Sequence, residues 1–321
     1  MHRASLIRPL TFAAFLLCFV VVVLGAYVRL SAAGLGCPDW PGCYGHVTPA
    51  GAVAAAEPSG GTLDGVPVEA AKAWKEMIHR YAAATLGLLI IFIVALVTQT
   101  RPLRVVSLPY ATGLLALVVA QGILGMLTVT RQLEPIIVTA HLLLGLTTLS
   151  ALWWLVLTIG RRQANAWRGS TAFLGSSLQL TRQLALLGLV ALAMQIALGG
   201  WTSSHYAATG CPDFPKCQGE WWPSLHGNAG IHFAHRLGAL FATGMLLLSA
   251  VRVLRSRSDE FARRAALAVL LTLALQLVIG VTMVMRGFPL ALATAHNAGA
   301  ALLLLAVLAL NRSLRPAWKA T

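Results

Sequence analysis

Residues 9–28 read PLTFAAFLLCFVVVVLGAYV, twenty residues without a charge, bounded by Arg8 and Arg29. At about 1.5 Å per residue, a helix of that length covers the roughly 30 Å hydrocarbon core of a bilayer. Seven more such runs follow, at 81–100, 105–130, 135–160, 183–201, 237–251, 265–285 and 287–311. The sixth is short between its arginines and is expected to begin earlier, near Ile231. Eight membrane spans are therefore expected. The composition agrees: of 321 residues, 58% are hydrophobic and only 11% charged. The mean hydropathy is +0.76, and a water-soluble domain of this size needs far more charge.

Placement of Lys and Arg orients the spans. With the N-terminus cytoplasmic, the inner segments collect 16 of the 24 basic residues. The outer loops hold the remaining basic residues beside acids such as Asp39, Glu57, Asp64, Glu69 and Asp213. Both termini then lie inside. The net charge of +14 reads as topology and attraction to anionic lipid, and nucleic acid is not expected as a partner. Ser31-Ala32-Ala33 resembles a signal-peptidase site, but the end of the first span has an internal twin. Leu24-Gly-Ala-Tyr27 aligns with Leu198-Gly-Gly-Trp201 at the end of the fifth span, so the first is expected to be retained. Nothing before Pro9 resembles an organelle-targeting helix, which points to a prokaryotic plasma membrane.

That twin belongs to a larger duplication. Cys37-Pro-Asp-Trp-Pro-Gly-Cys43 recurs as Cys211-Pro-Asp-Phe-Pro-Lys-Cys217. Gln121-Gly-Ile-Leu-Gly125 recurs as Gln276-Leu-Val-Ile-Gly280, and Thr139-Ala-His141 as Thr294-Ala-His296. The chain reads as an all-α integral membrane protein of two four-helix bundles. The first is residues 1–160 and the second 181–321, with a polar cytoplasmic linker at 161–180. Each half has an even number of spans, so the repeats are parallel, related by a pseudo-twofold axis along the membrane normal. A third Gln-x-x-x-Gly, Gln195 to Gly199, lies in the fifth span. Close packing of helices through the glycine is the simplest reading, with the glutamine bridging helices or meeting a bound polar group as the alternative.

Four histidines repeat with the loops. His79 and His141 are 62 residues apart, His235 and His296 are 61 apart, and all four sit near the outer ends of even-numbered spans. Ionisable groups within a membrane are costly and face the bundle interior or a site. Two imidazoles without a nearby carboxylate or thiolate cluster cannot close a tetrahedral zinc site, whereas one histidine from each of two helices satisfies both axial positions of a heme iron. Gly145, Gly238 and Gly299, close after three of the histidines, are expected to leave room for a porphyrin. Arg80 and Arg236 directly follow His79 and His235. They read either as partners of heme propionates or as interfacial arginines that snorkel to water.

The halves differ in ways that bear on chemistry. Glu76 lies three residues before His79, and its counterpart before His235 is His232. A carboxylate beside one porphyrin site only suggests that one half reacts while the other holds a cofactor; capping of its own helix is the alternative for Glu76. His232 with His235 at i and i+3 is also compatible with a small metal ion. Four of the five cysteines fall in outer loops, with five residues between the thiols of each pair. Such loops can close disulfides in an oxidising compartment. Cys211 and Cys217 read as a staple, and for Cys37 and Cys43 a redox role stays open. Cys18, within the first span, reads as a packing residue. The first loop is the longer, with 35 residues between Cys43 and His79 against 17 between Cys217 and His235. Its stretch from Pro49 to Pro67 is placed to cover a substrate opening.

Taken together, the two Cys loops, Glu76-x-x-His79-Arg80, Thr139-Ala-His141, His235-Arg236 and Thr294-Ala-His296 on eight spans resemble the heme A synthase family over nearly the whole chain. The resemblance implies oxidation of a methyl group of heme O to the formyl group of heme A. It implies heme b as cofactor on His235 and His296, substrate heme at His79 and His141, and Glu76 as catalytic carboxylate. It further implies supply of heme O by heme O synthase, a farnesyltransferase, and delivery of product to terminal oxidase assembly. A diheme membrane electron carrier of cytochrome b type uses the same histidines but gives no reason for Glu76 in one half. A repeat-built transporter would need spans broken in mid-membrane, and no matched proline interruptions occur.

Overall fold

The computed structural model describes residues 2–99, 106–163, 175–256 and 258–315. Among these, eight helices are long and apolar enough to cross a membrane. They are α1 (His2–Leu30), α3 (Ala70–Gln99), α4 (Leu108–Thr130), α5 (Pro135–Gln163), α6 (Gly175–Ser204), α7 (Gly227–Arg255), α8 (Glu260–Met285) and α9 (Leu290–Ser313). The expected linker at 161–180 lies largely outside the described residues, and its ends continue α5 and α6. A short helix α2 (Pro49–Ala56), capped by Thr48 on the Gly51 amide, follows the first Cys loop. A two-stranded ribbon, Thr62–Leu63 with Val66–Pro67, lies between α2 and α3.

Runs of β-branched residues such as Val20 to Val23 form helix here because a lipid-exposed backbone must satisfy its own hydrogen bonds. Tight left-handed closures end several spans. After α4 the Leu133 amide reaches back to the Thr128 carbonyl at 2.8 Å, with Gln132 and Leu133 at φ 50° and 59°. After α8 the Phe288 amide reaches the Met283 carbonyl at 2.8 Å, with Gly287 and Phe288 at φ 69° and 61°. Pro135 and Pro289 then lead into the next helices. These short turns make α4 and α5, and α8 and α9, antiparallel neighbours.

The chain forms two compact units, Met1–Leu149 and Ser150–Thr321. In the first, α1 and α4 both pack on α3, around buried Ile90, Ile93 and Val97. In the second, α6, α7, α8 and α9 pack in a closed ring, with Leu246, Val253, Val269 and Leu310 inside. Gly188 lets α6 approach α7: a methyl added there would stand 3.3 Å from Leu246 Cδ2. The outward faces are apolar too, with Leu240 and Leu271 each 71% exposed. Such faces suit lipid rather than water. The molecule is a multi-pass membrane protein.

Candidate heme site

The two Cys loops have the same construction. Cys37–Cys43 and Cys211–Cys217 are disulfide-bonded, with Cα atoms 4.7 and 4.6 Å apart. Inside the first, the Asp39 carboxylate accepts from the amides of Tyr44 (2.6 Å) and Gly45 (2.9 Å). Inside the second, Asp213 accepts from Gln218 (2.6 Å) and Gly219 (2.9 Å). The Gly219 and Gln218 amides hold the Asp213 carboxyl below its usual range. Burial, and then the negative charges of Glu69, Asp39 and Glu76, push the Tyr44 phenol up, so it stays protonated and donates to the Pro67 carbonyl at 3.0 Å.

Each loop sits on the start of a long helix, a contact that needs glycine. A methyl on Gly36 would stand 2.6 Å from the Lys72 backbone, and one on Gly210 would stand 2.5 Å from that of Asn228. Cys37 and Cys43 are buried against Ala73 and Met77, Cys211 and Cys217 against Ala229 and Phe233. The helices therefore begin well before the histidines. His79 is nine residues into α3 and His235 eight into α7. The extra turns form because the loops bury their apolar face.

Both arginines point at the loops. Arg80 Nη1 donates to the carbonyls of Asp39 (2.9 Å), Pro41 (3.3 Å) and Gly42 (2.6 Å). Arg236 donates to those of Lys216 (2.7 Å), Cys211 (2.9 Å) and Asp213 (2.8 Å). Neither snorkelling nor propionate pairing includes this use. It arises because a disulfide-closed loop turns several carbonyls toward one point with no amide to meet them. Glu76, 4% exposed, accepts from the Cys37 amide at 2.9 Å and pairs with Arg80 Nη2 at 2.5 Å. It holds the Cys loop and does not cap its own helix. The corresponding His232 is 5% exposed, packs edge-on to Phe288 with ring centroids 6.0 Å apart, and has no partner at Nδ1.

The histidines meet partners that spacing alone does not reveal. Gln121 Nε2 donates to the His141 carbonyl at 3.0 Å and touches the ring at 3.4 Å. Gln276 does the same to His296 at 3.0 and 3.3 Å, and Gln195 to His235 at 3.0 Å for both contacts. The glycine of each Gln-x-x-x-Gly lies under the ring. A methyl on Gly125, Gly199 or Gly280 would stand 3.4, 3.0 or 3.0 Å from the Cε1 of His141, His235 or His296. The bridging alternative for these motifs is what the structure shows. Gly145, Gly238 and Gly299 do not leave open space as expected, since the glutamine amides fill it. The visible signal was the identical four-residue spacing in three spans.

Within each unit the two histidines come together. The His79 and His141 rings lie within electrostatic reach of one another, as do those of His235 and His296. Nδ1 of His79, His141 and His296 is buried without a partner, so donors are available to a bound group. Among the described residues no three His, Cys, Asp or Glu side chains gather as a closed metal site would need. Paired imidazoles fit the two axial positions of a heme iron.

Eight membrane helices, with two histidines within electrostatic reach of one another in each unit and disulfide-closed loops on the helix starts, define a multi-pass membrane protein. A family model described as COX15-CtaA, cytochrome oxidase assembly protein, matches residues 8–308, and the chain belongs to that family. It is 40% identical over 317 residues to a protein of Shewanella oneidensis named heme A synthase, covering 91% of this chain and 92% of that one. Proteins of the same name from Caulobacter vibrioides and Symbiobacterium thermophilum are 29% and 28% identical. The former covers 89% of both chains, and the latter 81% of this chain and 80% of its own.

Proposed function

We propose that this chain is a heme A synthase, oxidising one methyl group of heme O to the formyl group of heme A. The name its relatives carry supports the reaction. The single observation that carries the division of labour is a buried carboxylate, Glu76, beside the imidazole pair of one unit, with His232 at the same place in the other. His79 and His141 hold the substrate, and His235 and His296 hold heme b. When bound, heme b supplies a one-electron acceptor held by the second unit. Turning a methyl into a formyl with one water as the oxygen source replaces two C–H bonds with a C=O and releases four electrons and four protons, the electrons passing on to an external acceptor and the protons needing a base. Glu76 is the carboxylate placed to take them, held between the Cys37 amide and Arg80. Arg236, whose hydrogen bonds go to backbone carbonyls beside the Asp213 carboxylate, is the cation for a propionate, whereas Glu76 balances the charge of Arg80. Both disulfides keep their loops closed, and Cys37–Cys43 also seats Glu76.

The remaining assignments follow the charge pattern and the family. The halves are parallel repeats about an axis along the membrane normal, with both termini cytoplasmic in a prokaryotic plasma membrane. Heme O synthase supplies the substrate, and terminal oxidase assembly takes the product. A diheme electron carrier gives Glu76 no role beyond holding the Cys loop. Glu76→Gln keeps the acceptor for the Cys37 amide and removes the base. We expect turnover to fall by roughly 100-fold with heme content unchanged, measured as heme A formed per heme-loaded protein. Full turnover in that variant contradicts the catalytic assignment.

A further inference from the structure

At the end of the second unit opposite its Cys loop, four arginines gather. The Cys loop joins α6 to α7, so the start of α6 and the ends of α7 and α9 share the far side. Arg182 on α6 donates through Nε to the carbonyl of Leu314, just past α9, at 2.6 Å. Arg252 on α7 donates through Nε to the Thr181 hydroxyl at 3.1 Å, beside Arg182. The guanidinium groups of Arg312 and Arg315 stand over one indole, 5.6 and 5.2 Å from the ring centroid of Trp154. That end of α5 is fixed on α9 by Trp153, whose Nε1 donates to the Leu305 carbonyl at 2.9 Å.

Arg312 is 5% exposed, and the positive charge of Arg315 bears on it. Guanidinium groups brought together in this way repel, and a shared anion removes the cost. Residues 161–182, 252–264 and 312–321 contain two acids, Asp259 and Glu260. Both serve α8, Asp259 as cap on the Ala262 amide and Glu260 in a pair with Arg264. Arginines at helix ends also answer the negative end of the helix dipole. That accounts for one N–H of Arg182, on the Leu314 carbonyl. Among the described residues, the Nη groups of Arg182 and Arg252 meet no acceptor. A planar fork of this kind matches the oxygens of a phosphate.

The surroundings say which phosphate. Leu186 and Val190, four and eight residues on from Arg182 along the same face of α6, are each 48% exposed. An apolar stripe leading away from the charge suits an acyl chain, and a soluble phosphate has no use for it. Basic pockets between helices at the membrane boundary hold anionic headgroups in this manner. We propose that this end of the second unit binds the phosphate of an anionic phospholipid. Arg182, Arg252, Arg312 and Arg315 supply the charge, and Trp154 keeps two of the guanidinium groups in one place. The lipid then ties α6, α7 and α9 together at the end that has no disulfide.

The test uses the full-length protein, purified with its heme in a neutral detergent. Bound lipid is counted by native mass spectrometry as phosphatidylglycerol or phosphatidylcholine is added. We expect one phosphatidylglycerol per chain to bind about tenfold more tightly than phosphatidylcholine. Arg182→Gln and Arg315→Gln should each weaken that binding by about fivefold. Arg264→Gln removes the same charge from the same end, at a side chain 76% exposed and paired with Glu260, and should leave it unchanged. Arg315 is exposed at the end of α9, so its variant decides the matter if that of Arg182 fails to fold. Equal weakening by all three variants reduces the effect to diffuse attraction and overturns the site. Equal affinity for the two lipids overturns it as well. If inorganic phosphate at the lipid's concentration displaces phosphatidylglycerol, the lipid assignment is overturned.

Discussion

Gly199 and Gly280 show what a single hydrogen in place of a methyl does at these sites. Each lies under an imidazole, and an added Cβ would come within 3.0 Å of Cε1, closer than the ring accepts without tilting. Gly122, one residue after Gln121, faces open space. Gly280→Ala should reduce heme retained by the second unit several-fold, read as heme per chain after purification. Gly122→Ala should leave heme content unchanged and raise helix stability by up to about 1 kcal/mol. Equal behaviour of the two variants contradicts the cradle. The histidines stood out in the sequence because they repeat, and Glu76 because the repeat breaks there. The use of the glutamines and arginines was not. A spacing of four puts Gln and Gly on one face of a helix, but which neighbour that face meets depends on helix rotation, which spacing does not give.

At the scale of the element, the Cys loop is a small rigid plug tied down by three devices: a disulfide, an aspartate that gathers two amides, and an arginine that gathers three carbonyls. The sequence revealed the first through its cysteine spacing. The aspartate stood in the motif without an evident partner, since its amides belong to residues just beyond the second cysteine. The depressed Asp213 carboxyl gives the second loop a pH dependence of known sign. Its contribution is fully present above the ordinary aspartate range, near 4, and is lost as pH falls through the lower folded value. Asp213→Asn should therefore expose the amides of Gln218 and Gly219 to faster hydrogen exchange at neutral pH. The parent loop should approach the variant's behaviour only in acid below the ordinary range. A parent loop that loosens between pH 5 and 7 contradicts this account. The stretch from Pro49 to Pro67, read as a cover for an opening, holds the short helix α2 and the two-stranded ribbon. Its far end is tied to the Cys loop through Tyr44 and Pro67.

For the whole molecule, the hydropathy pattern sufficed to count eight spans, because a bilayer demands uninterrupted apolar length and the chain marks its limits with arginine. It was less informative at the outer ends of α3 and α7, where helix continues past the apolar run to carry the loops. The charge bias predicts that both termini lie on the cytoplasmic side. Reporter fusions at the two ends should both be active only as cytoplasmic reporters, and a periplasm-active fusion at either end contradicts the topology. The most direct test of the central claim is absorbance of the purified protein followed by extraction and mass analysis of its porphyrins. The proposed axial ligation by a histidine pair in each unit predicts a strong Soret band, with heme b accompanied by heme O or heme A. A colourless protein, showing no Soret band even after reconstitution with heme, would contradict it.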